Sequence, residues 1–280
     1  MSQQDVKRIG ILLIGLHNAN IPALQFLVLR MNSLQHAFEF EFLPVDANDE
    51  VVKKLSRSHK LDREKIRGDM PKFAERYSNF LQDRIANYRL KESPPNYFIL
   101  LTLAHFSDNY YTMREGPISV IALGNWKRSM APPSMLEFFL TLVLREAVAS
   151  VSESLRGSIH LGTKGCLFDF TASLNDVRNK VLDGFICEYC CEALRADGHP
   201  DLAEELIPIL GNKWLGETSD SNSPAGISLK LGYDLFTTKG AEATAWQKFL
   251  AIIQDEGIKQ LIKIVGGVIL AGLLLWLGLK

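Results

Sequence analysis

Arg8-Ile-Gly-Ile-Leu-Leu-Ile-Gly-Leu16 is the stretch on which the fold turns. Nothing polar follows Arg8 in it, so it reads as a strand buried in the interior of a layered α/β architecture. Asn18 to Leu34 follows with helical spacing, Asn18 or Asn20 supplying the N-cap and Leu24, Phe26, Leu27 and Met31 the buried stripe. Phe38 to Val45 returns as a second strand, and Lys53 to Lys65 is polar enough to be a solvated loop or short helix. From Asp69 a longer helix is expected. Phe73, Tyr77, Phe80, Leu81, Ile85 and Tyr88 recur at three and four residues, Pro71 suits a first turn, and Pro94-Pro95 ends the element. Tyr97 to Leu103 and Ile118 to Leu123 are the third and fourth strands, with room for an edge strand between them. The order is β-α-β-α-β-β, which predicts a twisted mixed sheet with helices on its faces.

Beyond Pro132-Pro133, Ser134-Met-Leu-Glu137 has the form of a capping box, in which Ser134 accepts from the third helical amide and Glu137 reaches back. Met135, Phe138, Phe139, Leu142, Val143 and Ala147 give the helix that follows a wide apolar face, and Gly157 is its expected stop. The expected organisation is an α/β domain over 1–200, a helix and the polar linker Glu217 to Gly226 over 201–226, an amphipathic region over 227–263 and a membrane helix over 264–279.

With 280 residues, 47% of them hydrophobic, the chain can bury a large core. A net charge of −1 without a long basic block argues against nucleic acid as a partner. Eight apolar residues from Ile9 to Leu16, with no small-residue cleavage site after them, do not make a signal peptide. All four cysteines fall between Cys166 and Cys191, whereas a disulfide framework would be spread through a small secreted domain. A reducing compartment is expected.

The cluster runs His160-x5-Cys166-x20-Cys187-x2-Cys190-Cys191. Two ligands separated by two residues form a knuckle around a tetrahedral zinc ion, and a distant pair, here His160 and Cys166, closes the site. Four protein ligands leave no open position, so such a zinc holds the fold and does not activate water. In the alternative reading Cys166 is a buried small hydrophobe, the remaining cysteines are incidental and His160 is a loop histidine. Cys191 is the spare thiol and can substitute for Cys190; the sequence does not order the two.

Here the residues resemble a family, the archaemetzincins, a branch of the metzincin zinc peptidases. Its pattern is a catalytic His-Glu-x-x-His-x-x-Gly-x-x-His followed by Cys-x4-Cys-x-Met-x17-Cys-x-x-Cys for a second, structural zinc. Cys166-Leu-Phe168 stands where Cys-x-Met is expected, 18 residues separate it from Cys187 in place of 17, and His160 lies one residue beyond the place of the first cysteine. The resemblance implies a metzincin-like fold over roughly residues 8–195 and a structural zinc at its end.

The catalytic half of the pattern is not kept. Its helix aligns as Arg145-Glu146-Ala147-Val148-Ala149, without either histidine. That chemistry needs two imidazoles one turn apart to hold the metal and the intervening Glu as general base. Glu146 is therefore a weak catalytic candidate, and a solvated helix carboxylate is the plainer reading. His17, His36, His59, His105 and His199 show no metal spacing, and no Gly-x-Ser-x-Gly elbow, Walker loop or Gly-x-Gly-x-x-Gly is present.

Ile264 to Leu279 is sixteen residues without a charge. At about 1.5 Å per residue it spans roughly 24 Å against a hydrocarbon core of about 30 Å, with Lys263 and Lys280 placed to snorkel at its ends. The alternative is a buried soluble helix. Before it, Trp246, Phe249, Leu250, Ile253, Gly257 and Leu261 form one face of an amphipathic helix, and Lys248, Lys259 and Lys263 favour a cytoplasmic domain on a single-pass inner-membrane anchor. Gly267 and Ala271 offer a small-residue face for self-association within the lipid bilayer.

Three functions follow. The first is a non-catalytic sensor or interaction domain, answering to an unidentified protein or small-molecule trigger, whose tail oligomerises and disrupts the membrane. That combination resembles the membrane effectors of bacterial antiphage defence. The second is a membrane-anchored zinc metallopeptidase with an atypical active site, and the third is a plain anchored scaffold.

Overall fold

In the computed structural model, which describes residues 6–235 apart from 18, 58–59, 158–159 and 162, the opening stretch forms strand β1 (Lys7–Ile14). Its side chains alternate between two cores, Ile9 and Ile11 in one, Leu12 and Ile14 in the other. That double burial is what an interior strand of a parallel sheet requires. Helix α1 (Ile21–Met31) follows, and Asn20 is its cap, accepting from the Ala23 amide at 3.0 Å; Asn18 lies outside the described residues.

Strand β2 (Phe38–Phe42) runs parallel to β1. The polar stretch after it is more ordered than its composition suggested: it holds helix α2 (Glu50–Leu55), capped by Asp49, and the short strand β3 (Lys60–Leu61). Helix α3 (Arg63–Tyr88) starts six residues before Asp69, capped by Asp62, so that Pro71 sits inside it. Ile66 and Met70 extend the buried stripe of Phe73, Tyr77 and Leu81 toward the N-terminus. Burying those two side chains contributes about 3–6 kcal/mol, enough to offset the roughly 3 kcal/mol cost of an interior proline. The helix ends at Arg89, in the left-handed conformation at φ 53°, and not at Pro94-Pro95.

Strands β4 (Phe98–Thr102), β5 (His105–Phe106), β6 (Thr112–Glu115) and β7 (Ile118–Ala122) complete the sheets. The main sheet has the order β2-β1-β4-β7-β6, parallel except for the edge strand β6, which pairs antiparallel with β7; β3 and β5 form a separate parallel pair. One face of the main sheet carries α2 and α3, and the other carries α1 and helix α4 (Met135–Val151).

The Ser134–Glu137 capping box is present. Thirteen of the seventeen residues of α4 are buried, including Glu137 and Glu146, so the helix has no solvated face and each carboxylate needs partners in the core. It does not run on to Gly157: Ser152 interrupts it, and helix α5 (Glu153–Gly157) begins a new turn under the Asp197 carboxylate, which accepts from Ser152 and Ser154.

Helices α6 (Leu174–Asp183), α7 (Glu188–Ala196) and α8 (Leu202–Glu205) and a 3-10 segment (Leu210–Leu215) follow. The stretch 217–226, expected as a linker, is folded. Ser223 accepts from the Gly226 amide at 2.9 Å and donates to the Glu217 carbonyl at 2.6 Å, starting helix α9 (Pro224–Lys230) against α1. Asn20 donates to the Leu231 carbonyl at 2.8 Å and ties the two together. Among the described residues no helix is long and apolar enough to cross a membrane. The expected amphipathic helix and span, with Trp246, Lys263, Gly267 and Ala271, lie outside the described residues.

Candidate metal centre and the adjoining cleft

Two loops and one helix start build the cysteine and histidine cluster. His160 and Cys166 lie on the segment after α5, which bridges to Asp169 and to Phe185. Gly165 turns the chain into Cys166 at φ +108°, a conformation favouring glycine. Cys187 is the N-cap of α7 and Cys190 stands in its first turn, so the Cys-x-x-Cys spacing becomes one turn of helix with both sulfurs on one side. The ligand atoms of His160, Cys166, Cys187 and Cys190 all lie within 4.8 Å of one another.

A zinc ion bound at about 2.3 Å to sulfur and about 2.0 Å to nitrogen places tetrahedral ligands roughly 3.8 Å apart for sulfur pairs and roughly 3.5 Å for sulfur and nitrogen. Here Cys166 and Cys190 sulfurs are 3.8 Å apart, Cys187 sulfur is 3.6 Å from His160 Nε2 and Cys190 sulfur 3.1 Å from it. The donor set of three soft sulfurs and one imidazole fits such an ion. Hydrogen bonding from Cys190, opposed by burial and aided by the Phe168 and Cys187 amides, holds the Cys166 thiol down at about 5; the same contact raises Cys190.

The imidazole is oriented from behind. His160 Nδ1 lies 3.0 Å from Asp169 Oδ1 and 3.0 Å from Thr163 Oγ1, and Thr163 donates to the same carboxylate oxygen at 2.7 Å. A proton fixed on Nδ1 leaves the Nε2 lone pair facing the sulfurs, the arrangement that orients metal-binding histidines. Sequence spacing does not reveal Asp169 or Thr163, because neither is a ligand. Cys191 is not part of the cluster. Its sulfur points to the Ile186 carbonyl at 3.7 Å, beside the groove lined by Phe185 and Ile207. Successive residues of a helix point about 100° apart, so Cys190 and Cys191 cannot serve one site interchangeably.

Glu146 is not a solvated helix carboxylate. It is fully buried, accepts from both Nε and Nη2 of Arg114, and takes a third bond from Arg145 Nη1 at 2.7 Å and a fourth from Ser119 Oγ at 2.7 Å. Arg114 and Ser119 are cross-strand partners on β6 and β7, which is why both reach the same carboxylate. Tyr97 shares a hydrogen bond with Ser119 at 2.6 Å and extends the network. Burial pushes the Glu146 carboxyl up, but the Arg114 and Arg145 charges and the bonds from Arg114 and Ser119 outweigh it and hold the group at about 2. These partners lie on remote strands, and no local spacing marked them.

Between this network and the metal cluster lies a cleft of about 340 Å³. Arg63, Arg67, Arg114, Arg145 and Arg156 contribute to its lining, and Phe168 to Thr171 form one wall. Tyr111 hydroxyl bonds the Thr171 hydroxyl across it, and Arg63 stacks 4.4 Å above the Tyr110 ring.

No family model and no curated protein matches the chain. Among solved structures it is similar to an archaemetzincin from Methanopyrus kandleri, at 14% identity over 69% of this chain and 95% of that one, with a TM-score of 0.40. It is also similar to a zinc-dependent peptidase from Methanocorpusculum labreanum, at 11% identity over 66% of this chain and 99% of that one. A third is an archaemetzincin from Archaeoglobus fulgidus in complex with malonate, at 13% identity with the same coverage. The TM-score is 0.40 for these two as well. At these values the likeness assigns no residue a role.

Proposed function

We propose that the chain is a non-catalytic sensor or interaction domain, stabilised by a structural zinc at His160, Cys166, Cys187 and Cys190 and carried on a C-terminal membrane segment. The observation that carries the first part is the state of Glu146. In the alignment drawn from sequence it takes the place of a general base, with Arg145 and Ala149 where two imidazoles would stand. A base needs a free face and a pKa near the working pH. Glu146 has four donors on its two oxygens and a pKa held at about 2. The second part rests on chemistry: a donor set of three thiolates and one imidazole favours zinc and closes its coordination, which suits folding and not hydrolysis.

The tail reading rests on composition. Sixteen uncharged residues flanked by Lys263 and Lys280 favour insertion in a bilayer, and Lys248, Lys259 and Lys263 before it favour a cytoplasmic domain at the inner membrane. Gly267 and Ala271 favour a homo-oligomer, the form a membrane-disrupting defence effector would take, with its trigger acting on the folded domain.

Inducible expression in bacteria tests the reading, with the full chain compared to one ending at residue 263, alongside incubation of the purified metal-loaded chain with a denatured protein substrate. Growth arrest that depends on the tail, with no cleavage, is expected. Toxicity independent of the tail, or cleavage of the substrate, would favour the metallopeptidase.

A further inference from the structure

Arg63 and Arg67 stand one turn apart on α3, Arg114 on the edge strand β6, Arg145 near the end of α4 and Arg156 on α5. The fold gathers into one concavity five guanidinium groups that the sequence scatters over 94 positions.

Their carboxylate partners are fewer than they are. Arg114 and Arg145 share the single buried Glu146. Arg63 pairs with Asp108 at 2.6 Å and Arg67 with Glu64 at 2.6 Å, both at the exposed rim. Among the described residues the Arg156 guanidinium makes two long bonds of 3.3 Å, to the Ala149 and Ser150 carbonyls where α4 ends. Among the described residues of the lining the one carboxylate, Asp169, is engaged by Thr163 and His160. Behind that wall the Lys180 ammonium donates to the Asp169 backbone carbonyl; burial, and next to it the Arg145 charge, lower that lysine to about 7. Among the described residues the buried Nε of Arg145 has no hydrogen-bond acceptor. Positive charge is thus concentrated in a partly desolvated site beyond what the protein itself neutralises, an arrangement that favours binding of an anion.

We propose that this cleft binds a small ligand bearing phosphoryl groups, held by Arg145 at the floor and by Arg63, Arg67 and Arg156 at the rim. A carboxylate offers two oxygens and saturates on one or two forks, as Glu146 does here, whereas phosphoryl groups present three oxygens and more charge to several converging guanidinium groups. The volume of about 340 Å³ lies at the small end of ligand pockets, which suits a small organic phosphate and excludes a folded partner. Tyr110, already covered by Arg63, places an aromatic face at the mouth.

The inference supplies a ligand class for the sensing reading and rests on it only in that respect: binding is read on the purified protein and toxicity in cells, so the two fail separately. The probe is inorganic pyrophosphate, titrated calorimetrically into the metal-loaded full chain in detergent, with citrate at matched ionic strength as the carboxylate arm. Saturable one-to-one binding of pyrophosphate, weaker for citrate, is expected. The double variant Arg67→Gln/Arg156→Gln, both at exposed or rim positions, should weaken it at least about tenfold, while Arg84→Gln, on α3 but outside the cleft lining, should leave it unchanged. Zinc content and circular dichroism establish that each variant is folded. No saturable heat up to about 10 mM pyrophosphate, equal or tighter binding of citrate, or equal loss in Arg84→Gln would overturn the proposal.

Discussion

Asp169 faces two ways: its carboxylate stands 3.0 Å from His160 Nδ1, and its segment forms a wall of the arginine cleft. The metal cluster and the cleft therefore share one loop. Whatever holds His160 and Cys166 in place also holds Phe168 to Thr171 opposite Arg145 and Tyr111.

Asp169→Asn keeps the side-chain shape and removes the charge that fixes the His160 tautomer. Loss of such an orienting partner typically costs about 10–100-fold in metal affinity. Competition with a chromophoric zinc chelator is expected to show that loss, with the fold retained when zinc is in excess. Unchanged affinity would mean that Thr163 alone orients the ring.

Cys190→Ser and Cys191→Ser separate the adjacent thiols. The first should lower the zinc content and destabilise the domain, because structural metal binding is folding free energy. The second should change neither, since the Cys191 sulfur points away from the cluster. Thermal unfolding with and without a chelator reads both, and a Cys191→Ser variant that loses zinc contradicts the geometry.

Glu146 makes stability depend on acid. Its pKa falls from an ordinary 4.5 to about 2 on folding, so the folded state binds fewer protons there than the unfolded chain. Its contribution is complete above pH 4.5 and is lost as pH falls toward 2. Glu146→Gln leaves Arg114 and Arg145 without their anion and should cost about 3–5 kcal/mol at neutral pH. Urea unfolding from pH 7 down to pH 3 should then show the gap between the two chains narrowing. Metal release is common to both and drops out of the difference; a constant gap would mean that the carboxylate is not ionised in the fold.

Replacing Gly267 and Ala271 with Leu tests the tail. Leucine is at least as apolar, so insertion should be unchanged, while close backbone approach is lost. Crosslinking of the full chain in membranes is expected to show fewer oligomers with the same membrane fraction. Unaltered crosslinking would reject that helix face as the contact.

The unbroken apolar run that makes β1 an interior strand and the capping box of α4 could be read from sequence, because both depend on neighbours within a few residues. The Cys187-x-x-Cys190 knuckle could be read for the same reason, whereas it is the fold that brings His160 and Cys166 to it, from 30 and 24 residues before Cys190. The start of α3 could not, since Asp62 and the buried Ile66 and Met70 outweigh a proline that ordinarily marks a helix boundary. Nor could the burial of Glu146, whose partners Arg114 and Ser119 come from a hairpin some thirty residues away. The five cleft arginines leave no mark in the sequence, because no two of them except Arg63 and Arg67 are neighbours along one element.

Whether four protein ligands close the metal centre is measured directly by X-ray absorption at the zinc edge of the purified full chain, together with the metal content. A closed site gives about one zinc per chain with three sulfurs near 2.3 Å and one nitrogen near 2.0 Å. Zinc below about 0.2 per chain, or a first shell containing oxygen from water, would contradict it.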